Sequence, residues 1–281
     1  MLHGLEKGDV RALHRTRVAT RRLRELLPVL HLEADLAERL TRRLRKATER
    51  LGSVRELDVL MALATKLGES DRYPADALAR LTAFVNKERK ASRRKLMAKA
   101  PIAELHRLGR KLEAVVRDGE TRPADRARGR TPERSVRWAA EARVARRAGR
   151  LGDAIEEAGA VYLPERLHVV RIAVKKLRYA LEVASESGAS IARPDLRLVK
   201  YNQDLLGRLH DLQILIDRTR QVQASLVPPS VVVWRSLEGL VDALEQDCRR
   251  LHGRYMRGRD ALTALSGRFG GRAQAAARVT A

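Results

Sequence analysis

Aromatic residues are scarce in this chain, at 3% of 281 residues. Proteins that bind single-stranded nucleic acid use aromatic side chains as platforms on which the bases stack. The composition therefore disfavours that class of binding protein. Cysteine is rarer still, since Cys248 is the single one. No disulfide can form within the chain, and this fits a reducing compartment.

Long apolar runs are also missing. The nearest candidate, "LVPPSVVVW" at residues 226–234, contains two prolines and is far shorter than a membrane span. The first residues lack the apolar centre of a signal peptide. From these absences we expect a cytoplasmic protein that does not bind membranes.

The sequence also lacks the motifs of several enzyme classes. It contains no GxxxxGK[ST] phosphate loop, no Cys/His set with zinc spacing and no arguable Ser/His/Asp arrangement. We therefore expect no catalytic residues, no bound metal and no cofactor.

Positive charge is what the chain has in excess. It carries 58 Lys and Arg against 35 Asp and Glu, for a formal net charge of +23. Such a charge opposes compaction and favours a polyanionic partner, such as nucleic acid, an anionic surface or a polyphosphorylated molecule. Because hydrophobic residues make up 44% of the chain, a buried core is still expected.

The apolar residues recur with a helical period almost throughout, and no segment alternates as a strand does. The sequence therefore predicts an all-α fold. The predicted helices lie near residues 10–30, 33–67, 74–100, 101–118, 133–158, 164–187, 194–223 and 230–256.

Two sequence blocks occur twice, in the same order. "LHRTRVATRRLREL" from residue 13 returns as "LHVVRIAVKKLRYAL" from residue 167, and "LGSVRELDVL" from residue 51 returns as "LGRLHDLQIL" from residue 206. The repeat predicts two related halves, 1–118 and 133–265, joined by a Gly-, Pro- and Arg-rich linker at 119–132 and followed by a flexible tail at 266–281. Only twelve residues precede the first block, so we expect the first half to be one helix shorter.

In both copies of the first block, the basic residues fall on one side of the helix and apolar residues on the other. A solvated helix face normally mixes signs, because like charges three or four residues apart repel each other. These stripes are almost purely basic, which favours a long anion as ligand. The stripes comprise His14, Arg17, Arg21 and Arg24 in the first half, and His168, Arg171, Lys175 and Arg178 in the second.

The dipeptide His210–Asp211 resembles half of a metal phosphohydrolase site. The signal is weak, because such a site needs further His and Asp ligands and the chain has no second His-Asp pair. Arg55 and Glu56 hold the matching places in the first half. The two histidines that open the stripes, His14 and His168, could instead donate hydrogen bonds to a phosphate oxygen.

The doubled blocks, with their H-x-x-R-x-x-x-[RK]-[RK]-x-R pattern, closely resemble the CHAD family of α-helical domains, over roughly residues 10–262. The resemblance implies two helical bundles related by a pseudo-two-fold axis, with a basic groove or pore at their junction. It also implies binding of inorganic polyphosphate and association with polyphosphate granules. Carried over by position, the ligand-facing residues are His14, Arg17, Arg21, Arg22, Arg24, His168, Arg171, Lys175, Lys176 and Arg178, with a looser set of Arg42, Arg45, Lys46, Arg197 and Lys200 on the second helices.

Two other functions remain open at this stage. The residues alone predict two basic stripes for a linear polyanion, which would also suit a nucleic-acid-binding module that contacts only phosphates. That alternative lacks a groove-reading motif. The other is a phosphohydrolase that uses His210 and Asp211. The oligomeric state is left open.

Overall fold

The computed structural model describes residues 9–30, 32–98, 102–120 and 132–279. These residues form nine α-helices and no strand, so the predicted all-α fold is confirmed. The helices are α1 Val10–Leu26, α2 Ala34–Arg50, α3 Gly52–Leu67, α4 Ala75–Ala98, α5 Ile102–Glu120, α6 Pro132–Ala158, α7 Pro164–Glu186, α8 Arg193–Ala224 and α9 Val231–Val279.

The two stripe helices, α1 and α7, begin with ordinary start signals. The carboxylate of Asp9 caps α1 by accepting hydrogen bonds from the backbone N–H groups of Arg11 and Ala12, at 2.9 and 3.2 Å. Pro164 lies in the first turn of α7, where its missing N–H costs nothing. A 3-10 turn at Leu27–Val29 ends the first stripe helix.

The prediction of one helix over residues 33–67 was wrong. The chain breaks at Leu51 into α2 and α3, whereas the matching segment of the second half, α8, is continuous. A close approach marks the break: a Cβ atom at Gly52 would lie 2.8 Å from Nη1 of Arg17. At the matched glycine, Gly207, a Cβ atom would meet nothing within 4 Å.

The predicted end of the last helix near Met256 was also wrong. Helix α9 continues to Val279, through the segment that we assigned to a flexible tail. Leu262, Leu265 and Phe269 recur at helical spacing and are buried in a core that α6 shares. Ser266 donates a hydrogen bond from its hydroxyl to the carbonyl of Ala148 in α6, at 2.8 Å. The first residues of the predicted tail, including Ser266 and Phe269, are therefore packed against the core.

Helices of both halves share one apolar core. The cluster joins residues of α3 and α4, such as Leu60 and Leu81, to residues of α8 and α9, such as Leu215 and Leu240. A second cluster packs α6, α7, α8 and α9 together. This shared core fixes the two halves relative to each other, and it brings the two stripe helices, α1 and α7, into direct contact.

The predicted linker at 119–132 lies mostly outside the described residues. Its first two residues belong to α5, and Pro132 begins α6. The pseudo-two-fold relation between the halves stays a prediction.

Candidate functional site

The basic stripes of the two halves meet where α1 crosses α7. Arg21 of α1 is close enough to Arg171 and Lys175 of α7 for its charge to lower the pKa of both, although burial is the larger cause. The second matched block adds residues of α3 and α8 to the same place. We call this group the central cluster: His14, Arg17, Arg21 and Arg55 from the first half, and His168, Arg171, Lys175 and His210 from the second.

Arg17 is held in the central cluster by the break between α2 and α3. Its Nη1 atom donates a hydrogen bond to the backbone carbonyl of Thr48, at 3.0 Å, and passes the space that Gly52 leaves open. Burial, together with the charges of Arg21 and Arg55, lowers the pKa of Arg17 to about 10. The guanidinium is still charged at neutral pH, although it is held beside Arg21 and Arg55; the charge of Glu56 opposes their effect.

Lys175 is the most strongly perturbed cation of the cluster. Burial lowers its pKa from 10.5 to about 7, and the charges of Arg21, Arg171 and Arg17 act in the same direction. About half of the molecules would therefore carry a neutral amine here at neutral pH. A bound anion would favour the charged form, because opposite charge nearby stabilises it.

The two histidines of the second half form a direct contact. The Nδ1 atoms of His168 and His210 lie 3.2 Å apart, with ring centroids at 4.5 Å. Burial, followed by the charges of Arg171, His168 and Lys175, lowers the pKa of His210 to about 4. Burial and the charges of Arg171 and Lys175 also lower the pKa of His168. Both rings are therefore neutral in the free protein near pH 7, and one donates to the other.

Two carboxylates, Glu56 and Asp211, lie at the edge of the central cluster. Burial raises the pKa of Asp211 to about 6, against the opposing effect of Arg171, Arg208 and Arg55. Within the part of the chain that the structure describes, no three His, Cys, Asp or Glu side chains are placed to hold a metal ion together. The His-Asp pair thus faces arginines and another histidine.

A cavity of about 420 Å³ opens beside the first-half side of the cluster. It is lined by Val10, Arg11, His14, Arg15 and Arg55. Cationic side chains dominate this lining, so the cavity offers an anion access to His14 and Arg55.

Six of the ten ligand-facing residues predicted on the stripe helices thus lie in the central cluster, and the other four do not. Arg22 pairs with Glu182 at 3.7 Å and with Glu186. Arg178 pairs with Glu182 at 3.7 Å and lies 4.9 Å from the ring centroid of Tyr179.

The other two, Arg24 and Lys176, face α6 on another side of α7. Burial lowers the pKa of Lys176, and the charges of Arg147, Arg150 and Arg24 add to this effect. These two cations therefore lie beside α6, although the charge of Lys176 also contributes to the lowered pKa of Lys175 in the central cluster.

The looser set on the second helices is exposed. Arg42 pairs with Glu38 at 2.6 Å, and Arg45 pairs with Glu49 at 3.5 Å. The remaining three are Lys46, Arg197 and Lys200. No contact among the described residues joins this set to the central cluster, so its role in binding stays a prediction.

Reasoning from the sequence did not assign three residues that the structure brings to the cluster: Arg55, His210 and Asp211. The signal was present, because all three belong to the second repeated block. In the sequence, the second repeated block served as evidence of duplication. Its His210–Asp211 pair was considered only as part of a metal phosphohydrolase site. Their alignment with each other, Arg55 with His210 and Glu56 with Asp211, already placed them at matched positions.

No described helix is both long enough and apolar enough to cross a membrane. A search of curated proteins found no match to the chain. The model of the CHAD domain family matches residues 3–220, which is well over half of the chain and includes both stripe helices and the two repeated blocks. This chain belongs to the CHAD domain family.

Proposed function

We propose that the central cluster binds inorganic polyphosphate and that the protein catalyses no reaction. One observation carries the proposal: cations from both halves are held together and partly buried, so that the pKa of Lys175 falls to about 7. Holding like charges in this way is unfavourable for the free protein. A ligand that supplies several closely spaced negative charges would offset that cost.

The chemistry of the cluster suits phosphate groups. Arg17, Arg21 and Arg171 present guanidinium groups, which can donate two parallel hydrogen bonds to a phosphate. Lys175 adds a compact charge, and the histidines add donors that strengthen on protonation. Cations and hydrogen-bond donors of this kind are sufficient to bind a linear chain of phosphates. CHAD domains are associated with polyphosphate binding.

Nucleic acid is the competing polyanion. Its backbone would satisfy the same cations, but its bases would gain little here, because the aromatic ring beside the stripes, Tyr179, is buried. We therefore consider nucleic acid a less favoured ligand of the central cluster than polyphosphate. Association with polyphosphate granules in the cytoplasm is part of the same proposal.

A competition experiment tests the choice of ligand. Labelled polyphosphate is bound to the protein, and unlabelled polyphosphate or duplex DNA is added at equal phosphate concentration and fixed salt, since both interactions weaken as salt rises. We expect polyphosphate to displace the label and DNA to displace it poorly. Equal displacement would contradict the proposal and favour the nucleic-acid module.

A matched pair of variants locates the site in the same assay. Arg171→Gln removes a cation of the central cluster, and Arg137→Gln removes an exposed cation that pairs with Glu141 at 3.1 Å. We expect a loss of about tenfold or more for the first, because a charge-assisted hydrogen bond contributes about 1.5–3 kcal/mol, and little change for the second. Phosphate release on adding Mg²⁺ or Mn²⁺, abolished by Asp211→Ala, would contradict the non-catalytic assignment.

A further inference from the structure

A second group of cations lies beside the central cluster, where α1 and α6 both contact α7. Helix α6 carries four arginines in the eight-residue stretch "RVARRAGR" at residues 143–150. Arg143, Arg147 and Arg150 are spaced four and three residues apart, so they lie on one face of that helix. None of these arginines belongs to the repeated blocks.

Two of the α6 arginines, Arg143 and Arg147, share one carboxylate, which leaves a net positive charge. Arg143 donates from Nε to Oε2 of Glu25 at 2.8 Å, and Arg147 donates from Nη2 to Oε1 of the same carboxylate at 2.8 Å. All three side chains are largely buried, with 14%, 12% and 8% of their surfaces exposed. This interaction fixes α6 against the end of α1 and holds its arginine face in place.

Lys176 of α7 lies close to this ion pair, and charges of both signs act on it. Burial is the largest cause that lowers the pKa of Lys176, and the charges of Arg147, Arg150 and Arg24 lower it further. The charge of Glu25 acts in the opposite direction. One carboxylate, that of Glu25, therefore lies among four arginines and a lysine. We call Arg24, Arg147, Arg150 and Lys176 the α6 patch.

The α6 patch adjoins the central cluster through consecutive residues of α7. Lys175 points to the cluster and Lys176 to the patch, and the charge of Lys176 contributes to the lowered pKa of Lys175. A flexible polyanion that leaves the cluster over α7 meets the patch next. Arg150 is exposed and Lys176 is partly exposed, so both can be reached from solvent.

We propose that the α6 patch is a second phosphate-binding subsite, which is engaged only by polyphosphate chains long enough to cross α7 from the central cluster. This proposal rests on the proposed function, and it adds a basis for preferring long chains. Binding at the second subsite is intramolecular once the first is occupied, so affinity rises without an independent encounter.

The test compares tripolyphosphate with a long-chain polyphosphate, in wild type and in the double variant Arg150→Gln with Lys176→Gln. The control is Arg137→Gln with Arg249→Gln, which removes the same charge from exposed, acid-paired positions elsewhere. The variants leave Glu25 and its two arginines intact, and thermal unfolding checks that each remains folded.

We expect the patch variant to bind the long chain about five- to tenfold more weakly than the wild type, because it lacks two charged contacts near the surface. It should bind tripolyphosphate as the wild type does. The salt dependence of long-chain binding should also fall by about one to two units of log–log slope. The control pair should change neither affinity. A charge-preserving pair, Arg150→Lys with Lys176→Arg, should restore most of the long-chain affinity.

Unchanged long-chain affinity in the patch variant would overturn the subsite. Equal losses for both ligands would also overturn it, because the patch would then act only through the overall field of the protein. If the wild type bound neither ligand, the proposed function itself would fail. These outcomes are distinct, so the subsite and the central site are tested separately.

Discussion

Replacing Lys175 with Gln should remove most of the proton uptake that accompanies polyphosphate binding at pH 8. The pKa of this lysine falls from 10.5 to about 7 in the free protein, mainly through burial and then through Arg21, Arg171 and Arg17. At 1.36 kcal/mol per unit, protonation of the amine is disfavoured by about 3–5 kcal/mol. The free protein at pH 8 therefore carries about one-tenth of a proton at this position.

A bound polyanion should restore most of that charge, so wild type should take up nearly one proton per binding event. The histidines contribute little at this pH, because burial and the neighbouring cations lower the pKa values of His14, His168 and His210 as well. Titration calorimetry at pH 8 in two buffers of different ionisation enthalpy gives the proton count. Uptake that is absent in wild type, or unchanged in Lys175→Gln, would refute the reasoning.

The same lysine should also make the stability of the free protein depend on pH. Its pKa is lower in the folded state than in the unfolded state, so between about pH 7 and 10.5 the unfolded chain binds more protons. The free energy of unfolding should therefore rise with pH across this window. In Lys175→Gln that rise should be smaller, as measured by urea unfolding at pH 7 and pH 9.

Three further predictions follow from the fixed geometry around the cluster. Gly52→Ala should weaken polyphosphate binding by displacing the guanidinium of α1 that lies 2.8 Å from the new Cβ, whereas the matched Gly207→Ala should leave binding unchanged and stabilise its helix by up to about 1 kcal/mol. Glu25→Gln should lower the free energy of unfolding by about 3–5 kcal/mol, because it leaves the two arginines of α6 without their carboxylate. His14→Ala with His168→Ala should weaken binding by about 1–3 kcal/mol and flatten its strengthening from pH 8 to 6; a double variant that kept the full pH dependence would contradict this role.

Much of the fold could be predicted from the sequence, because helical period and capping residues are local signals. The apolar sides of both stripe helices are buried, with Thr16 in the first and Leu177 and Leu181 in the second, and Leu27 is buried in the turn that follows the first. The break at Leu51 could not be predicted in this way, since it depends on Arg17, 35 residues earlier in the chain, passing over Gly52.

The site was predicted in part, for the same physical reason. A helical wheel shows which residues share a side of one helix, but it does not show which neighbour that side will meet. The charge of Arg21 acts on Lys175 in the second stripe, whereas that of Arg24, one turn later, acts on Lys176, which lies beside the arginines of α6. The arginines of α6 could not be assigned to a site from the sequence, because their proposed role in binding depends on how α6 packs against α1 and α7.

Titration of the protein with tripolyphosphate tests the central claim most directly, because it counts sites. If the stripes of both halves form one site, a single molecule should bind per chain at the central cluster, and Arg17→Gln and Arg171→Gln should each weaken that one event. Two molecules per chain, one lost in each variant, would show that the stripes bind separately and would contradict the account.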